Sequence, residues 1–111
     1  FSFPVSIESL DHPNFNARRV GRFIDALRKC VDSRKGSVCL VAGIDLSHVG
    51  ARFGQPDRAG REKLERVEAE DRLALELLAR NDKKGFVEQM RMVEAQNNVC
   101  GFPALYVLMD L

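Results

Sequence analysis

The stretch Val38–Gly54, reading VCLVAGIDLSHVGARFG, constrains the fold more than any other part of this chain. Its first five residues, Val38-Cys39-Leu40-Val41-Ala42, form an unbroken apolar run, the pattern of a strand buried on both faces. After Gly43 the run gives way to Asp45, Ser47 and His48, and then to Gly50 and Gly54. In an α/β protein, ligands sit in the crevice beyond the carboxyl ends of buried strands. A carboxylate, a hydroxyl and an imidazole therefore arrive together where such a fold keeps its chemistry.

The flanking sequence completes a strand-helix-strand order. Phe1–Ile7 is apolar and β-prone, with Pro4 suited to an edge or a strand end, and Glu8–Asn16 reads as a loop. From Ala17, the residues Val20, Phe23, Ile24, Leu27 and Val31 recur at helical spacing and make one apolar stripe. Charged side chains such as Arg18, Arg22, Asp25 and Lys29 fill the other face, and Gly36 marks the stop. Strands joined in this way make a right-handed crossover. The expected architecture is α/β, with a central, mostly parallel sheet flanked by helices.

Three further helices follow. Asp57–Arg80 carries Leu64, Val67, Ala74, Leu75 and Leu78 in register, with Asp71 on the same stripe, where a carboxylate needs a partner. The next starts near Asp82, a good N-cap residue, and presents Phe86, Val87, Met90 and Val93. The last follows Asn97–Gly101, with Pro103 in its first turn and Leu105, Leu108 and Met109 behind it.

Composition narrows the function classes. At 111 residues this is one small domain or a piece of a larger one, and 45% hydrophobic residues suffice for a core. A net charge of +1 makes no field that would draw in nucleic acid or an acidic membrane surface. No apolar run approaches the roughly 20 residues that span a bilayer. Three irregularly spaced cysteines make no disulfide framework and point to a reducing, cytoplasmic setting. The chain opens at Phe1 in strand-like sequence, so the expectation is that an upstream half precedes it.

His48 is the main candidate for chemistry, as an acid/base group or as a structural hydrogen-bonder. Asp45 stands three residues earlier, either to orient the imidazole or to cap the turn leaving the strand. Ser47 lacks the G-x-S-x-G elbow of a serine nucleophile. Cys100, just ahead of a helix start, would feel the positive end of the helix dipole, which favours a reactive or metal-binding thiolate. Cys30 and Cys39 read as core residues, and His12 as a loop residue. Arg52 could meet an anion or Asp71, or stand as a solvated surface arginine, and Asp71 could support the His48 loop or make a helix-to-loop ion pair. No CxxC, HExxH, phosphate-loop or EF-hand pattern is present.

Ala42–Gly54, with its D-L-S-H-x-G-x-R-F-G string, together with Val99-Cys100-Gly101-Phe102-Pro103, resembles the Memo-like family, whose bacterial members are called protein B of the AmmeMemoRadiSam system. That family is similar in fold to the class III extradiol ring-cleaving dioxygenases, and this chain resembles its C-terminal part. The resemblance implies a site of histidines and a cysteine around a metal-sized pocket. His48 matches the acid/base histidine beside the metal, Asp45 the motif aspartate, and Cys100 the cysteine standing where the dioxygenases have a carboxylate ligand. The other two histidine ligands belong to an N-terminal half. A thiolate ligand favours iron or copper over magnesium, in the full-length protein rather than in this portion alone. The implied function is a metal-dependent redox or dioxygenase-like activity, with His48 and Cys100 near the metal. The alternative is a non-catalytic binding or adaptor module holding a peptide or small molecule in the same pocket. Expected partners are the N-terminal half of the same protein or a second copy, and neither nucleic acid nor a membrane.

Overall fold

In the computed structural model, which describes residues 7–10, 17–56 and 58–111, four of the helices form where periodicity and capping place them, and a short one precedes them. They are α1 (Ile7–Leu10), α2 (Ala17–Asp32), α3 (Arg61–Ala79), α4 (Lys83–Asn97) and α5 (Phe102–Leu108), with a 3-10 turn at Ala51–Phe53. The packing is built on α4. Its residues Phe86, Met90, Val93 and Asn97 fall on one face and are buried, and the helix packs against α3, α1 and α5.

The α3–α4 connection is tight for local reasons. Asn81 takes a left-handed φ of 52°, and the Asp82 carboxylate caps α4 by accepting from the Gly85 amide at 2.9 Å, which satisfies one of the helix's otherwise unpaired first donors. At the other end, Asn98 terminates α4 in the left-handed conformation, φ 50°, as asparagine readily does. The chain then turns through Cys100 and Gly101 into α5, whose Phe102 is fully buried and stacks on Phe86 with ring centroids 5.9 Å apart. Val20 and Ile24 of α2 close the same core. The C-terminus is fastened by Asp110, whose carboxylate pairs with Lys83 and whose carbonyl accepts from Arg28.

The expected α/β architecture is overturned. Among the described residues there is no strand and no sheet, and every regular element is helical. Ser37–Gly43, read as a buried strand, lies in a stretch without helix, turn or bend, yet it has no ladder partner, and Val38, Leu40 and Val41 are exposed. A strand is stabilised by cross-strand pairing, and among the described residues no second strand lies beside this one. Of the expected first strand, Phe1–Ser6 lie outside the described residues, and Ile7 opens α1. The loop read over Glu8–Asn16 is helical through Leu10, and its remainder, with His12, lies outside the described residues.

Two smaller corrections concern exposure. On α3 the buried positions are Val67 and Ala74, while Leu64 and Leu75 are about half exposed. Cys30 and Cys39, read as core residues, are exposed. No helix among the described residues is long and apolar enough to cross a membrane.

Candidate functional site

An α-helix leaves its last carbonyls without intrahelical donors, and at the C-terminus of α4 the His48 loop supplies them. The Gln96 carbonyl accepts from the Gln55 side chain at 2.6 Å, and the Asn97 carbonyl accepts from the His48 backbone amide at 2.6 Å. The Asn98 carbonyl lies 3.1 Å from His48 Nδ1, while the Asn98 amide group donates back to the His48 carbonyl at 2.9 Å. The loop is thus docked on a helix terminus at both ends. Gln55 also accepts from the Gly50 amide at 2.9 Å and from Lys63. Gly50 adopts φ 98° and ψ −177°, a backbone region open essentially to glycine alone, which lets the loop double back at that point.

A second anchor reaches the loop from α3. Ser47 donates its hydroxyl to Asp71 at 2.6 Å, and its amide lies 3.4 Å from the same carboxylate. The partner that Asp71 requires is therefore a serine, not an arginine; Arg52 is exposed on the 3-10 turn. This arrangement also assigns Ser47 to holding the loop. Beside it, Glu70 accepts from Arg66 at 2.7 and 2.9 Å and from the buried Asn97 amide at 2.7 Å, tying α3 to the end of α4 beneath the loop. Ser47→Ala is expected to cost about 1.5–3 kcal/mol, the range for a hydrogen bond to a charged group, and to raise amide exchange at Ser47 and His48. Unchanged stability and exchange would show that the anchor contributes nothing.

The imidazole is fixed on three sides. A carbonyl can only accept, so the Asn98 contact assigns the ring proton to Nδ1 and turns Nε2 outward. Nε2 lies 3.4 Å from the Asp45 carboxylate, and the Phe53 ring meets the imidazole edge to face with centroids 4.9 Å apart. The Asp45 side chain is 80% exposed against 21% for His48. An exposed pair of this kind is worth little energetically, so Asn98 is the stronger orienting group.

Cys100 reaches the same neighbourhood through Asp45. The two residues, with Gly43, Ile44 and Gly101, line an open depression of about 440 Å³. The contact is close because Gly101 has no side chain: a Cβ there would fall 2.5 Å from the Asp45 carbonyl oxygen and 2.9 Å from Ile44 Cδ1. His48 and Cys100, far apart in sequence, are thereby joined through Asp45. The helix-dipole argument for Cys100 loses its basis, since α5 is only seven residues long and Gly101, not Cys100, is its N-cap.

A family profile described as Memo-like protein matches residues 3–111, almost the whole sequence and including both motifs that meet at Asp45. The chain belongs to the Memo-like family. No curated protein and no solved structure matches it. The iron or copper implied for the Memo-like site was tested against this donor set. Among the described residues no group of three or more His, Cys, Asp or Glu side chains is arranged to hold a metal ion. His48 Nδ1 is held by a carbonyl and Nε2 faces Asp45. These residues do not by themselves make a coordination shell.

Sequence reasoning found Asp45, His48, Ser47, Asp71 and Cys100, but it missed Asn98, Gln55 and the steric role of Gly101. The one signal available was the Asn97-Asn98 pair at the end of a helical pattern, which marks a left-handed cap whose carbonyl turns out toward the loop.

Proposed function

We propose that His48 is the acid/base group of a redox or dioxygenase-like site to which this Memo-like chain contributes one wall. The observation that supports the reading is the contact between the Asn98 carbonyl and His48 Nδ1, which leaves Nε2 as the ring atom directed toward Asp45, itself a lining residue of the depression shared with Cys100. A group that exchanges a proton with a bound molecule must present one defined nitrogen, and the contact with the Asn98 carbonyl does that here. Asp45 receives or steadies the Nε2 proton when the ring is doubly protonated. Cys100 supplies a thiol at the edge of the same depression.

A second reading, a binding or adaptor module for a peptide or small molecule, is favoured by the openness of the depression and by the incomplete ligand set. Anaerobic reconstitution of the full-length protein with iron or copper, followed by an assay of oxygen consumption with a catechol probe, separates the two. The acid/base reading expects metal-dependent turnover that His48→Ala abolishes and His48→Gln does not restore, with the fold intact. Metal uptake failing altogether, or turnover unchanged in His48→Ala, would sink it in favour of the binding module. Retention of partner binding by His48→Ala would then be the expected result.

A further inference from the structure

Three consecutive carbonyls at the end of α4 each face a donor from the His48 loop. Gln96 accepts from the Gln55 side chain at 2.6 Å, Asn97 accepts from the His48 amide at 2.6 Å, and the Asn98 carbonyl meets His48 Nδ1 at 3.1 Å. The contacts of Ser47 and His48 hold the upstream end of the loop, and Gln55 holds the downstream end. Gln55 also encloses Gly50 from two sides. Its Oε1 accepts from the Gly50 amide at 2.9 Å, and its own amide lies 3.4 Å from the Gly50 carbonyl. Gly50 is buried, at φ 98°, and stands two residues after His48. Any shift of Gly50 is therefore passed to the backbone that carries the imidazole.

We propose that Gln55 is a positioning residue, which sets the register of the loop on α4 and so selects the Asn98 carbonyl as the partner of His48 Nδ1. Its consequence for turnover rests on the acid/base reading of His48; its consequence for the ring's hydrogen bond does not. The chemistry of the junction singles out glutamine. One end of the side chain must accept from Gly50 and from Lys63, and the other must donate to Gln96. An ammonium group only donates, so Lys63 fixes which end of the amide carries the oxygen. An ionised glutamate would keep both acceptor contacts but hold no proton for Gln96, and would set a charged oxygen against that carbonyl. Leucine, of similar size, makes none of the three contacts. Lys63 is half-buried near the start of α3, so a single side chain joins α3, the loop and α4.

Nitrogen-15 NMR of the histidine rings in the full-length protein, with the His48 signals assigned by their loss in His48→Ala, tests the proposal. The expected result is one Nδ1-protonated form in the unmodified protein, and a mixture of Nδ1- and Nε2-protonated forms in Gln55→Glu and Gln55→Leu. Gln55→Glu keeps the contacts to Gly50 and Lys63, so it carries the test if Gln55→Leu does not fold. Asp82→Ala removes the cap at the other end of α4, which lowers stability without touching the loop, and should keep the unmodified ring signals. In the oxygen-consumption assay the Gln55 variants should lose about tenfold to a hundredfold in kcat with KM little changed, the cost of a displacement of about 1 Å near a reacting group. Ring signals unchanged in Gln55→Glu overturn the proposal. So does the same mixture in Asp82→Ala, which would make lost stability the cause, and so does an unchanged kcat in a protein that turns over. The ring signals need no turnover: an inactive unmodified protein whose Gln55 variants still show the mixture sinks the acid/base reading and upholds the register.

Discussion

Phe102→Ala is expected to cost about 3–5 kcal/mol, the range for removing a large aromatic side chain from a packed core. Phe102 is fully buried, stacks on Phe86 at 5.9 Å and meets Tyr106 at 5.7 Å. It also follows Gly101 directly, so its ring pins the start of α5 against α4. Small domains have total stabilities of about 5–15 kcal/mol, and a loss of this size removes much of that margin. Denaturant unfolding monitored by helical circular dichroism measures it. The loop should loosen along with the core, since its anchors lie on α3 and α4. A shift in the unfolding free energy below about 1 kcal/mol would show that the Phe86–Phe102 stack is not the centre of the core.

Gly101→Ala is expected to destabilise by about 1–3 kcal/mol through overpacking, and its effect on the site should exceed its effect on the fold. Gly101 has φ −75°, an ordinary value for any residue, so its backbone does not require glycine. The requirement is steric, because the Asp45 carbonyl occupies the place of a methyl group. Moving Asp45 away separates it from His48 and opens the depression shared with Cys100. Gly43→Ala is the control, since a Cβ there meets nothing within 4 Å. The ring resonances of His48 should shift in Gly101→Ala and stay in place in Gly43→Ala. Equal behaviour of the two variants would refute the close approach as the element that brings the two motifs together.

These two substitutions fall on adjacent residues that the sequence reading valued differently. Phe102 was unremarked in a helix start, and Gly101 stood only as half of a Cys-Gly motif. Neither packing partner is local. Asp45 lies on the far side of two helices in sequence from Gly101, and hydrophobic periodicity carries no information about which backbone atom will press against a glycine. The same limit explains Asn98: its left-handed φ is a local preference, whereas the use of its carbonyl to hold His48 Nδ1 depends on where the loop docks. Asp71 was the more legible case. A carboxylate on an apolar helical stripe must find a donor, and the Ser47 hydroxyl is that donor.

The sequence by itself determined the helices α2 to α5, the Asp82 cap and the adjacency of Asp45 to His48, because each rests on residues within one or two turns of each other. The tertiary structure decided which carbonyl orients the imidazole, that Cys30 and Cys39 face outward, and that Val38–Val41, apolar throughout, lie exposed. The physical reason is the range of the forces involved. Helical hydrogen bonds close within the segment that makes them, while a β-ladder and a site assembled from separate elements exist only where a second piece of chain comes to lie alongside.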